Sequence, residues 1–420
     1  MGPGLNTTST SAKLSKLSPA VLLSRKSFLA TATLIFAVKM ILSAAAPASG
    51  DLGLMLLQDT SIGGPWIAVI DSIVNLCRSV TGLTADSWVA SPPSSSSATA
   101  IFGLLVRLPT LVFDLGVAGA LYYLAKQIGV PIQGARLTCL AWLVNPYATF
   151  TVEMIATPDI AATFLTVIMV VLLLRKKPVY AGLALAAGTA LKLFPIFLFP
   201  PTLAYLEQSE IKLRDRVFFV AVSLLGLSAY LGWILQGNFA ETRLLLEYTP
   251  VTQPLTSLLT LGTEIGISVL AVVLVVTYYL IWVLARNYKI SVIETISAVL
   301  LVYYAFSSLY PQYLVWALPF LTLDVVLRRK HLGLIVSLLA LMFGWGFLYF
   351  GGYVTYSGYS LLFFPLEGTR LPWYSQTIAA FLASPATAVL IPAFLRAALS
   401  ASAVVYASTY FASWFRSTAS

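Results

Sequence analysis

The chain has 420 residues, 59% of them hydrophobic and only 10% charged, and its mean hydropathy is +0.89. So little charge cannot cover a water-soluble globule, which excludes a soluble fold and predicts an all-α, polytopic membrane protein. A net charge of +9 would by itself suit nucleic acid, but the basic residues come in short clusters between apolar runs, as in cytoplasmic loops, which argues against that partner.

Residues 1–27 are polar and Ser/Thr-rich and read as a cytoplasmic tail. The apolar run at 28–46 lacks a convincing small-residue cleavage site and reads as an uncleaved first span, with AAAPAS at 44–49 as the rival cleavage signal. Further spans are expected at 101–125, 136–148, 159–174, 217–236, 265–285, 292–308, 312–327, 332–352 and 387–411, about ten in all. They form a single transmembrane domain, 28–411, with long outer loops at 47–100, 237–264 and 353–386 and a cytoplasmic C-terminal tail at 412–420. With the N-terminus cytoplasmic, 18 of the 25 basic residues fall on the inner side. Asp51, Asp59, Asp71, Asp86, Glu153 and Asp159 then fall outside or at the outer ends of spans.

In the first outer loop, GGPWIAVIDSIVNLCRSV places Trp66, Val69, Ile70, Ile73, Val74 and Cys77 at helical spacing. This predicts an amphipathic helix suited to the membrane surface. SPPSSSS at 91–97 reads as a flexible connection, and YSGYSLLFFPLEGTRLPWYS in the third outer loop is matched to the interface. The stretch ALKLFPIFLFPPTLAYL, 190–206, puts Lys192 and three prolines into an apolar run flanked by RKK at 175–177 and KLRDR at 212–216. Both flanks read as cytoplasmic, so the intervening chain must enter and leave on one side, as a broken re-entrant helical hairpin with Lys192 near its tip. Cys77 and Cys139 are far apart and His331 sits in RRKH, so neither a disulfide framework nor a Cys/His metal site is expected.

Four groups of residues carry candidate chemistry. In SGDLGLMLLQD, Asp51 or Asp59 can serve as a general base at the membrane boundary, although acidic residues there are commonly solvated flanks. NPYATFTVEMIATPD brings Glu153 and Asp159 near the outer surface, in what is otherwise a polar turn. Lys192 can hold a lipid-linked phosphate as a point charge, or pair with an acidic residue such as Asp114; Lys39, Arg107 and Arg396 are further candidates for such pairs. In SSLYPQYLVWALPFL, Tyr310, Gln312, Tyr313 and Trp316 can hydrogen-bond and stack a sugar, or form an aromatic belt.

Taken in order, GD at 50–51, SPP at 91–93, RLPTLVFDLGVAGALYYL at 107–124, WLVNPYATFTVEMIATPD at 142–159, ALKLFPIFLFPP at 190–201 and YPQYLVWALPF at 310–320 resemble the GT-C superfamily of membrane glycosyltransferases. They resemble especially the GT87 and GPI-mannosyltransferase-1 types, which use polyprenyl-phosphate-mannose. The resemblance implies a GT-C-like fold and an inverting transfer of a sugar, mannose first, from a polyprenyl- or dolichyl-phosphate donor to a glycolipid or glycan acceptor on the outer or lumenal side. It implies Asp51 as base with Asp59 as the alternative, Lys192 at the donor phosphate, no cofactor or metal, and room for a small membrane subunit. Two departures are that Leu52 follows Asp51 where the family often has a second acidic residue, and that SPPSSSS replaces a more aromatic segment. The other readings are an inactive lipid-binding subunit of the same fold and a lipid or solute transporter, the latter disfavoured by the lack of a clear internal repeat. A prokaryotic cell membrane, archaeal included, is preferred over the endoplasmic reticulum.

Overall fold

The computed structural model describes residues 24–46, 66–89, 96–154, 156–209, 211–235, 258–261, 265–288, 290–306, 311–328, 332–341 and 385–416. The described chain is overwhelmingly α-helical, and a single antiparallel ladder, β1 (Leu258–Leu261) against β2 (Ile265–Ser268), is its one addition to the all-α expectation.

The helices begin and end where local chemistry dictates. Helix α1 (Arg25–Ala45) starts at Ser24, whose hydroxyl accepts the Ser27 amide at 3.1 Å. After α2 (Trp66–Thr81) and α3 (Ala85–Val89), the long α4 (Ser97–Gln127) opens with a capping box in which Ser96 and Thr99 satisfy each other's amides. It closes at Gly129, whose φ of +85° lets the Gly129 and Val130 amides fold back to Lys126 and Ala125. Helix α5 (Ile132–Leu143) ends at Asn145-Pro146, and the Asn145 side chain caps the one-turn α6 (Pro146–Thr149) by accepting from the Tyr147 and Ala148 amides.

A π-helical turn, Phe150–Met154, follows, and Ala156 then adopts a left-handed φ of 56° before α7 (Asp159–Leu174) begins. Lys176, also at φ 56°, terminates α7 with the same fold-back that Gly129 provides for α4. Next come α8 (Pro178–Leu191), a 3-10 turn Phe194–Leu198, α9 (Phe199–Gln208) and α10 (Leu213–Leu235). Helices α11 (Val269–Asn287) and α12 (Val292–Phe306) lead to a second 3-10 turn, Pro311–Trp316. Then α13 (Leu318–Arg328), α14 (Leu332–Leu341) and α15 (Pro385–Arg416) follow.

Helix α4 is the hub: α1, α2, α5 and α7 all pack on it. Helix α8 lies between α7 and α10, and α12 joins α11 to α15. The α8–α10 contact is backbone to backbone. Gly182 and Ala186, four residues apart on α8, face α10, and a Cβ built on Gly226 would come within 2.2 Å of the Ala186 carbonyl oxygen. Small residues at such spacing let membrane helices approach closely, which dispersion forces then reward.

Among the described residues, four helical segments are long and apolar enough to cross a bilayer: Arg25–Ala45, Ser97–Gln127, Leu213–Gly232 and Leu270–Asn287. Asp159–Leu174, Pro178–Leu191, Val292–Phe306 and Leu332–Leu341 are apolar but shorter. Residues outside the core are themselves large and apolar, as at Leu34, Ile41, Leu225, Val275 and Phe394, the surface that a lipid solvent favours. The chain is a helical membrane protein. Among the described residues the expected count of about ten spans is not matched by helices of spanning length: span 136–148 breaks after Leu143, and span 312–327 divides into a 3-10 turn and the 11-residue α13.

The amphipathic helix expected in the first outer loop is present as α2, and part of its apolar stripe packs within the protein. Trp66, Ile70 and Cys77 are buried in a satellite core with Trp88, Phe102 and Val106, and the Trp66 ring lies 5.9 Å from Phe113. Trp66, Ile70 and Cys77 are covered within the protein, while Val69 of the same stripe stays exposed.

Candidate functional site

Lys192 sits where α8 stops. Its backbone is extended (φ −153°, ψ 135°) while its amide still reaches the Gly188 carbonyl at 2.9 Å. The helix cannot continue because Pro195 brings no amide and its ring clashes with the preceding turn. The chain takes up a 3-10 turn instead and resumes as α9 only when Pro200 and Pro201 occupy the first turn, where no amide is required. The broken helix expected at 190–206 is present, and its interruption coincides with the lysine.

The Lys192 ammonium lies 3.4 Å from Asp159 Oδ2; the lysine side chain is 23% exposed and the aspartate 0%. Asp159 occupies the first turn of α7, where the helix dipole favours a carboxylate. Trp316 Nε1 donates to Asp159 Oδ1 at 2.6 Å and the Thr157 hydroxyl donates to Oδ2. Trp316 stacks on Phe194 with ring centroids 4.1 Å apart and on Tyr313 at 4.3 Å. The Lys192 ammonium is 6.0 Å from the Tyr313 ring centroid. Tyr304 donates its hydroxyl to the Tyr313 carbonyl, and Arg396 from α15 donates to the Tyr304 carbonyl at 2.9 Å. A partly exposed cation is thus held by a fully buried carboxylate and backed by an aromatic stack drawn from two 3-10 turns.

A second charged centre is fully enclosed. Lys39 of α1 reaches Asp114 of α4 at 2.8 Å and Glu153 of the π-turn at 3.0 Å. Trp142 Nε1 donates to the other Asp114 oxygen at 2.8 Å. One cation faces two carboxylates, and Glu153 Oε2 has no hydrogen-bond partner among the described residues. Nearby, buried Arg107 donates to the Ser43 carbonyl at 3.3 Å and lies 5.5 Å from the Trp88 ring. The last two turns of α1 are therefore tied to α4 by a lysine and an arginine.

The expected site residues are distributed as follows. Lys192, Asp159, Tyr313 and Trp316 come together, with Gln312 buried on the same 3-10 turn. Glu153 belongs to the Lys39 centre instead. Asp51, Asp59 and Tyr310 lie outside the described residues. One expectation is corrected: the partner of Lys192 is Asp159, because Asp114 is already held by Lys39 and Trp142. Glu153 and Asp159 are both buried within the protein, Glu153 where the π-turn packs on α1 and α4 and Asp159 at the start of α7. Sequence reasoning missed Thr157, Trp142, Phe194 and Tyr304 in these networks, because aromatics are common in apolar spans and carry no signal of their partners. No protein-family model matches the sequence, and no curated protein matches it either.

Proposed function

We propose that the protein is a membrane glycosyltransferase that moves a sugar, mannose first, from a polyprenyl- or dolichyl-phosphate donor to a glycolipid or glycan acceptor on the outer or lumenal face. The observation that carries this reading is the environment of Lys192. An ammonium at the break of a membrane helix is costly to keep there, and this one keeps an exposed side while its counter-ion is buried and engaged by Trp316 and Thr157. A donor phosphate meeting that exposed side would be neutralised as it leaves. In the proposed step the acceptor hydroxyl gives its proton to Asp51, or to Asp59, as its oxygen bonds to the anomeric carbon. The bond from that carbon to the phosphate oxygen breaks, its electron pair stays on the phosphate, and the configuration inverts. The aromatic faces of Tyr313 and Trp316 fit a neighbouring sugar or prenyl chain.

A second reading, proton-coupled transport, is favoured by one observation, the Lys39–Asp114–Glu153 centre, since buried titratable clusters at membrane depth are how pumps and transporters relay protons. The deciding experiment offers radiolabelled polyprenyl-phosphate-mannose to the purified protein with native membrane lipids, comparing Asp51→Asn and Lys192→Ala. Transfer that collapses in both variants supports the enzyme. Transfer unaffected by Lys192→Ala removes its central residue, and solute flux into vesicles without any transfer supports the transporter.

A further inference from the structure

A crevice of about 230 Å³ opens where α9, α10 and α11 meet, beside the later part of α9 and so away from the Lys192 break that precedes that helix. Its walls include Leu203, Val217, Val220 and Trp282, and its two charged residues are Glu207 and Arg216. The charges around it are unequally matched. Glu207 is bridged by Arg286 at 3.4 Å, and Asp215 by Arg214 at 3.5 Å. Arg216 has no ion pair among the described residues, and its Nε is buried with no hydrogen-bond partner there. Lys212 is exposed one turn before it. Beside the crevice, Leu213, Val217 and Phe218 leave large apolar side chains uncovered, so this side of α10 faces lipid.

We propose that this crevice binds one anionic phospholipid from the bilayer, with an acyl chain along the apolar walls and the phosphate on the Arg216 guanidinium. The chemistry of both ends is required. An apolar slot open to the membrane takes a hydrocarbon chain, while the guanidinium of the partly exposed Arg216, which holds no ion pair among the described residues, favours an anionic headgroup over a zwitterionic one with its own cation. Trp282, with Arg286 5.1 Å from its ring, suits the headgroup level at which tryptophans anchor membrane proteins. The site is separate from the Lys192 centre and does not depend on the transferase reading.

The test is native mass spectrometry of the full chain released from mixed micelles containing equal amounts of phosphatidylglycerol and phosphatidylcholine. The expected result is retention of phosphatidylglycerol over phosphatidylcholine by about fivefold, the scale of one basic contact at a membrane surface. Arg216→Gln should bring the two lipids to parity, and Val217→Trp, which fills the slot and keeps the arginine, should lower retention of both. Arg175→Gln, a basic residue at the end of α7, should leave the preference intact. The proposal is overturned if the preference is absent in the wild type, if it survives both crevice variants, or if inorganic phosphate displaces the lipid and so shows a simple anion site.

Discussion

Lys39 and Asp114 are 75 residues apart in sequence and 2.8 Å apart in space, each with a side chain only 1% exposed. With Glu153 on the other side of the ammonium, this contact joins the first helix, the hub helix and the π-turn that leads to Asp159. Removing Lys39 strands two buried carboxylates. Lys39→Met should lower stability by about 4 kcal/mol, the cost of breaking a buried pair by deleting one partner. Thermal denaturation in detergent checks this, and the double variant Lys39→Met with Asp114→Asn should recover part of the loss, as coupled neighbours do.

Lys192 should behave differently, because its side chain is partly exposed and its ion pair is longer. Lys192→Ala leaves the buried Asp159 carboxylate with Trp316 and Thr157 as donors, so it is expected to cost about 2 kcal/mol in stability, less than Lys39→Met, while lowering sugar transfer by about a hundredfold or more. A large drop in melting temperature with unchanged specific transfer would make Lys192 a structural partner of Asp159 and nothing more.

Gly226 meets the Ala186 backbone so closely that any side chain must push α8 away from α10. Gly226→Ala should destabilise by about 2 kcal/mol through overpacking. Since α8 ends at Lys192, the same change should also impair transfer. Gly232, with open space where a Cβ would go, supplies the control: Gly232→Ala should be close to neutral or stabilising on calorimetry.

Lys176 ends α7 in the left-handed region, at φ 56°, where a Cβ is unfavourable. Lys176→Gly should therefore stabilise the protein by about 1 kcal/mol. A denaturation midpoint that falls instead would mean the lysine side chain contributes more than its backbone strain costs.

Cys77 is fully buried in the satellite core, and burial pushes its thiol up to about 11. Only the thiolate reacts, so a raised value lowers its fraction at neutral pH, and lack of access acts in the same direction. Maleimide at pH 7 should label neither Cys77 nor the other buried cysteine, Cys139, in the folded chain, and both after denaturation. Rapid labelling of the folded protein would show that α2 separates from α4.

The hydrophobic and proline pattern made much of the helical skeleton legible. Helices α1, α4, α7, α10, α12 and α15 begin and end within several residues of the expected spans, because apolar length and breakers are local properties. Lys192 was recognisable for the same reason: a lone cation beside prolines is conspicuous in any apolar run. The fate of α2 was not legible, because an amphipathic stripe reads the same whether a bilayer or a neighbouring helix covers it. Here α4, Phe113 among its residues, covers Trp66, Ile70 and Cys77 and leaves Val69 exposed.

Composition and local patterning alone determined that this chain lives in a membrane, that it is helical, and that its helix breaks at Lys192. Pairing was decided only in three dimensions. Lys39, Lys192, Asp114, Glu153 and Asp159 are all individually visible as charges that a bilayer would penalise, yet nothing along the chain says which cation answers which carboxylate. The π-turn after Asn145 turns Glu153 toward Lys39, and the start of α7 turns Asp159 toward Lys192 and Trp316. Ion-pair energy depends on a few ångströms of separation, and those ångströms are set by how α1, α4, α7 and α8 pack.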